Sequence, residues 1–297
     1  MKIVIIGHPC LDIIHKDNLE ERSFGGILYS LVGFYLVAQK DDEIIPAFQI
    51  KDEYKESYFS ILPRDFIINK KLISLSHDVN IVHLFFEKEN LQFECYQNVS
   101  KKFDVNFILS NVDKNSHFYI NMISGFELDL YDLFSIRNYS QGKIYLDFHT
   151  LTRGIDENGK RFFRPLDDWL EWIACCDVIQ LNEIERENLS PLKLTEEEFA
   201  IKALEAGTEV VNITKGKDGA ISYYKNGDDL KSYSAKPQPN LQIKNIVGCG
   251  DIFGSVFAYN YFANNDIYTC LEKAVYFSSK RVEYESLQDY IKIKNYL

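Results

Sequence analysis

The chain has 297 residues, 46% hydrophobic and 26% charged, the proportions of an ordinary globular protein. Its 21 Phe and 19 Tyr exclude a disordered chain, its 15 Gly and 7 Pro exclude collagen-like and Gly/Pro-rich classes, and no apolar run nears the roughly 18 residues of a membrane-spanning helix. Acidic residues outnumber basic ones 44 to 33, and the net charge of -11 repels a nucleic-acid backbone; a small anion held by a few backbone N–H groups stays compatible with it.

In chain order, Ile3–Ile6 reads as a buried first strand closed by Gly7-His8-Pro9, too short an apolar run for a signal peptide. Leu28–Ala38 reads as a helix. Val82–Phe86 and Leu91–Tyr96, around the polar Glu87-Lys88-Glu89-Asn90, read as a β-hairpin placed as a flap over a site. Strands then follow at Tyr119–Ile123, Ile144–Phe148, Val178–Leu181 and Val210–Thr214. Helices are expected at Tyr131–Tyr139, Asp167–Cys175, Thr195–Ala206 and Ile252–Ala263. Alternating helices and nearly continuous apolar strands specify an α/β fold whose mostly parallel sheet is covered on both faces. Ligands of such sheets sit beyond the carboxyl ends of the strands. Six cysteines with no C-x-x-C pair and no zinc spacing read as reduced thiols of a cytoplasmic protein. No repeat or linker divides the chain, so residues 1–297 are expected to form one domain.

The sharpest motif is Gly248-Cys249-Gly250-Asp251, leading into a helix with Phe253, Phe257 and Tyr261 on one face. The glycines permit a tight turn, and the free N–H groups of the first helical turn, with the helix dipole behind them, suit developing negative charge on a phosphate. Asp251 would repel such an anion as a mere ligand. It makes chemical sense as a base that deprotonates an attacking hydroxyl. The plain alternative is a turn followed by a first-turn carboxylate.

The neighbouring segments bear on that choice. Asn245-Ile246-Val247-Gly248-Cys249-Gly250-Asp251-Ile252-Phe253 resembles the D-T-x-G-A-G-D-x-F signature of the ribokinase-like (phosphofructokinase B) family of carbohydrate and nucleoside kinases. Asn182 and Glu185, after an apolar strand, resemble its N-x-x-E. Thr214, Gly216 and Gly219 resemble its T-x-G-x-x-G-A turn. Gly25, Gly26 and Ser30 resemble G-G-x-x-x-N with Ser in place of Asn, and Asp147 resembles the Asp of D-P-N-x-R. Taken alone, the 182–185 and 214–219 segments read equally as a helix N-terminus and a hairpin turn.

The resemblance implies a three-layer α/β/α domain with a small β lid from about 10–25 and 82–100. It implies Asp251 as catalytic base and an anion hole at Gly248, Cys249 and Gly250. Thr214, Gly216, Gly219 and Asn182 would border ATP. Asp12, Gly25, Gly26, Ser30 and Asp147 would face the acceptor. Glu185 and Asn182 would organise Mg²⁺ through water. The resemblance places the nucleotide or a monovalent cation near residue 246, but Ile246 replaces a family Thr and removes its hydroxyl, which speaks against cation activation. Only 12 residues separate Asp12 from Gly25, so the flap is expected to be mostly the 82–96 hairpin. His149 and Arg153 are read as facing either the phosphates or the surface.

The expected activity is ATP-dependent phosphorylation of a hydroxyl on a small sugar, sugar derivative or nucleoside, by a monomer or homodimer with no nucleic-acid or membrane partner. The substitutions at 30, 245 and 246 motivate the alternative, a catalytically weak relative that senses a nucleotide or sugar or binds a partner. Retention of both glycines, Asp251, Asn182 and Glu185 argues for the enzyme. Other nucleotide-binding α/β classes lack support, because the chain holds neither G-x-x-x-x-G-K-[ST] nor a first-strand G-x-G-x-x-G.

Overall fold

The computed structural model describes residues 1–87 and 90–296. The strands are β1 (Lys2–Ile6), β2 (Pro9–Lys16), β3 (Leu19–Gly26), β4 (Glu43–Ile50), β5 (Ile73–Leu75), β6 (Asn80–Glu87), β7 (Asn90–Asn98), β8 (His117–Asn121), β9 (Ile144–Asp147), β10 (Arg153–Ile155), β11 (Arg161–Phe163), β12 (Val178–Asn182), β13 (Val210–Thr214), β14 (Ala220–Asn226) and β15 (Asp229–Ala235). The helices are α1 (Ile27–Val37), α2 (Asp52–Phe59), α3 (Val105–Ser110), α4 (Leu130–Tyr139), α5 (Trp169–Ala174), α6 (Glu183–Leu189), α7 (Glu196–Ala206), α8 (Cys249–Phe262), α9 (Ile267–Arg281) and α10 (Leu287–Ile291).

Nine strands form one sheet in the order β15-β14-β13-β12-β9-β8-β1-β4-β5. Seven neighbouring strands pair in parallel, and at one edge β13, β14 and β15 continue as an antiparallel meander in which β14 turns back. The strand interiors, such as Ile3–Ile6 and Val178–Leu181, are buried on both faces, as continuous apolar runs require. Helices α1, α8 and α9 pack on one another in one group, and α3, α4, α5 and α7 in another.

Helix α8 is apolar all round and buried from Asp251 to Asn260. Its polar side chains Ser255 and Asn260 return hydrogen bonds to their own helix, to the carbonyls of Asp251 (2.8 Å) and Val256 (2.8 Å). The helix starts at Cys249, three residues before the position expected from periodicity, because Gly248 at φ 83° serves as its N-cap.

The lid corrects one expectation. The residues between Asp12 and Gly25 suffice for a complete hairpin, since Asp17 (φ 52°) and Asn18 (φ 63°) join β2 to β3 in a two-residue turn. The flap is therefore a four-stranded sheet, β3-β2-β6-β7, to which both hairpins contribute. Lys88 and Glu89, of the polar segment expected between the two strands of the 82–96 hairpin, lie outside the described residues. Among the described residues no helix is long and apolar enough to cross a membrane.

Candidate active site

The site forms where β8, β9 and β12 end beneath the lid. Helix α8 descends onto those ends closely enough that a Cβ on Gly254 would stand 2.5 Å from Gln180 Oε1 and 2.8 Å from Tyr119 Oη. Glycine at that position lets the helix lie flush on the strands, and the contact carries Asp251 to Asn121. Asn121 Nδ2 donates to Asp251 Oδ1 at 2.7 Å and to Ser30 Oγ at 3.2 Å. Burial pushes the Asp251 carboxyl up to about 6, and the Asn121 hydrogen bond restrains that rise. A carboxylate poised there accepts a proton near neutral pH.

The lid strand β2 supplies Asp12, whose Oδ2 rests against the backbone of Gly25; a Cβ at Gly25 would be 2.0 Å from it. Burial first, then the charges of Asp251 and Glu94, push Asp12 up to about 7. Asp147 ends β9 and accepts from Gln180 Nε2 at 2.9 Å and from the His149 amide at 3.2 Å. Burial, Glu185 and Asp251 hold its pKa well above the usual carboxylate range. Gln180 Nε2 also donates to the Gly250 carbonyl at 3.1 Å, while Tyr145 Oη donates to Gln180 Oε1 at 2.7 Å. One amide thus ties the glycine turn to Asp147.

Asn182 and Glu185 close a capping box at the start of α6: Asn182 Oδ1 accepts from the Glu185 amide at 2.8 Å, and Glu185 Oε2 from the Asn182 amide at 2.9 Å. Burial pushes Glu185 up to about 7, with that capping bond and Arg153 opposing. Arg153 Nη2 lies 3.9 Å from Glu185 Oε1, and its Nη1 bonds the lid residue Glu94 at 3.0 Å. Arg161 Nε stands 3.5 Å from the same Glu94 oxygen.

Of the residues expected from the sequence, Asp12, Asp147, Glu185 and Asp251 come together within electrostatic reach, with Gly25 and the 248–250 turn beside them. Gly250 faces open space; the nearest atom to an added Cβ there is Gln180 Nε2 at 3.9 Å. Thr214 pairs in register with Asn182, and Gly216 (φ 53°) and Gly219 (φ 91°) shape the turn after it, one strand further from Asp251. Gly26 (φ 63°) feeds the chain from β3 into α1.

One expectation is corrected. Ser30 is fully buried behind Asn121, 3.3 Å from Tyr119 Oη, where it braces Asn121 rather than opening onto the cleft. Asp251 is only 6% exposed. The residues present do not fit a monovalent cation near 246. Ile246 offers no side-chain oxygen, and the permanent charge of Arg281 lines the same wall as Asn245, Ile246 and Val247. His149, whose imidazole burial and Arg153 push down to about 3, is neutral and adds no positive charge. Asn121, Gln180 and Glu94 were missed by motif reading. For Asn121 and Gln180 the signal is an amide inside an otherwise apolar strand; Glu94 lies in the mixed polar strand β7 and gives no such signal.

The donor set is all oxygen, which fits Mg²⁺ arriving on phosphates with its own waters. Among the described residues no three His, Cys, Asp or Glu form a closed metal cage.

The model of the pfkB family of carbohydrate kinases matches residues 85–294, and the chain belongs to that family. A 5-dehydro-2-deoxygluconokinase of Clostridium botulinum (strain Eklund 17B / Type B) is 39% identical over 80 residues, 27% of this chain and 22% of that protein. The chain thus matches about a fifth of the length of that relative. Among solved structures, a pyrophosphate-dependent kinase in the ribokinase family aligns with TM-score 0.78 at 15% identity, over 98% of this chain and 99% of that one. Arabidopsis thaliana ribokinase complexed with ribose and ATP aligns with TM-score 0.72 at 13% identity, over 99% and 97%.

Proposed function

We propose that the protein is a kinase that transfers the γ-phosphoryl group of ATP to a hydroxyl of a small sugar, sugar derivative or nucleoside. The observation that carries this reading is Asp251, a carboxylate raised to about 6 in the first turn of α8 and held by Asn121 beside the Gly248–Gly250 turn. Asp251 takes the proton of the attacking hydroxyl. The amides of residues 248–250 stabilise charge on the transferred phosphoryl oxygens. Asp12, Gly25 and Asp147 face the acceptor. Thr214, Gly216, Gly219 and Asn182 border the nucleotide, and Glu185 with Asn182 would hold Mg²⁺ through water. The ion neutralises the triphosphate when bound.

Nothing in this kit demands an adenine, and the family's fold relatives include a pyrophosphate-dependent kinase. The decisive assay therefore offers ATP and pyrophosphate as donors against a panel of sugars, sugar acids and nucleosides. The expected result is turnover by the wild type and a loss of roughly 10²–10⁴-fold in kcat for Asp251→Asn with unchanged circular dichroism. Nucleotide binding without turnover of any acceptor identifies the binding-only alternative. Full activity in Asp251→Asn removes the base from the mechanism.

A further inference from the structure

A cavity of about 780 Å³, the size of a small-molecule site, lies between the lid and the body. Its roof includes Ile14 and Lys16, which alternate along β2 onto the same face as Asp12, and Ser23, which pairs with Asp12 in register. The cavity thus runs along the lid face that carries Asp12, although Asp12 itself does not line it. Its inner wall includes Tyr29, packed so tightly on the glycine turn that a Cβ on Gly248 would stand 2.1 Å from the ring. Behind Tyr29 stands Arg281.

Arg281 is the largest fully buried side chain of the protein, 1% exposed, yet it lines this cavity. Among the described residues no carboxylate pairs with it. Nη1 donates to the Tyr284 carbonyl, the Tyr29 hydroxyl lies within hydrogen-bonding reach of the guanidinium, whose carbon is 5.9 Å from that ring's centre, and the buried Nε has no partner. A guanidinium cannot shed its proton, and a buried charge without a counter-charge is costly. The charged residues at the rim balance, Lys16, Arg22 and Lys244 against Asp17, Glu21 and Glu285, so Arg281 gives the lining its net positive charge. That sign opposes both the acidic cluster around Asp251 and the chain's net charge of -11.

We propose that Arg281 anchors an oxyanion subsite at the inner end of this cavity, and that the oxyanion is a carboxylate or phosphate borne by the acceptor. A carboxylate or phosphate would supply the missing counter-charge and take the guanidinium donors that Tyr284 and Tyr29 leave over. The inference rests on the kinase reading for the word acceptor, but the subsite itself can be read by binding alone.

The test pairs acceptors of one carbon skeleton, D-glucose against D-gluconate and D-glucose 6-phosphate, in the wild type, Arg281→Gln and Arg281→Lys, with kcat/KM and calorimetric binding as readouts. The expected result is a preference of at least about tenfold for an anionic member. Arg281→Gln should erase that preference through KM, Arg281→Lys should keep part of it, and activity on the neutral sugar should change less than about threefold. A wild type that prefers the neutral sugar, or variants that lose both acceptors equally, overturns the proposal. If Arg281→Gln does not fold, the wild-type preference and the Arg281→Lys variant decide. If none of the three is turned over, the kinase reading is decided by the wider acceptor panel, and Arg281-dependent binding of gluconate or glucose 6-phosphate still decides the subsite. Sodium sulfate at 10 mM distinguishes a free anion: activation of glucose turnover without competition against the anionic acceptors would assign the subsite to a free ion and overturn the acceptor-borne group.

Discussion

At the scale of single residues, the site works by opposing effects on one carboxyl group. Burial raises the pKa of Asp251, and the 2.7 Å hydrogen bond from Asn121 lowers it, because that bond favours the charged form. Asn121 is itself braced by Ser30, so the strand β8 amide is the positioning residue for the base. Asn121→Leu keeps the side-chain volume and deletes the donor. The sign follows: the base then stays protonated to higher pH, and the acid limb of kcat/KM, set near 6 by Asp251, moves up by about one pH unit, the worth of one charge-assisted hydrogen bond. A pH–rate profile from 5 to 9 checks it, and a limb that stays in place would show that Asn121 only packs. Motif reading found the carboxylate and not its support. Asp251 is fixed in the chain by its neighbours at 248 and 250, whereas Asn121 meets it across 130 positions. Ser30 misled for the same reason: its place in the motif is local, while the direction of its hydroxyl depends on Tyr119 and Asn121.

At the scale of elements, the position of α8 depends on what its first turn can approach. Gly248 sits at φ 83°, a left-handed conformation, and has no room for a Cβ beside Tyr29. Gly248→Ala therefore strains the backbone and displaces the ring at once. It should lower stability by about 1–3 kcal/mol and activity by at least tenfold, read by thermal melting and the kinase assay. A wild-type melting temperature in that variant would mean that Tyr29 moves at no cost, and that the tight packing on the turn is not what sets the helix. The elements themselves were mostly legible: β13 falls on Val210–Thr214 as expected, and α1, α4 and α7 within a residue or so at each end, because their apolar runs and caps are local signals. The β2–β3 hairpin was not. Leu19-Glu20-Glu21-Arg22-Ser23 is charged and exposed, and it becomes a strand only because β2 offers it a partner.

At the scale of the whole molecule, gathering the buried Asp12, Asp147, Glu185 and Asp251 in one site stores electrostatic strain. Asp12 and Glu185, raised to about 7, bind protons in the folded state that the unfolded chain has already released. Stability therefore falls as pH rises through 7. The window matters: His117 and His149, both lowered by burial, oppose this trend only below their ordinary value near 6.5. Carboxylates that are paired and lowered, such as Asp42 and Glu127, are ionised in both states above pH 5 and drop out. Between pH 6.5 and 8 the acidic cluster dominates. The melting temperature of the free protein should fall across that interval, by an amount on the order of 1 kcal/mol in stability. Mg²⁺ at 10 mM should restore part of the loss at pH 8 and do less at pH 6.5, because it binds the ionised cluster and adds stability by mass action. Melting curves at four pH values, with and without the ion, settle the matter. A stability that stays flat or rises from pH 6.5 to 8 would mean that the cluster is relaxed by water or lid opening, and that the closed arrangement of four carboxylates is not the resting state of the enzyme.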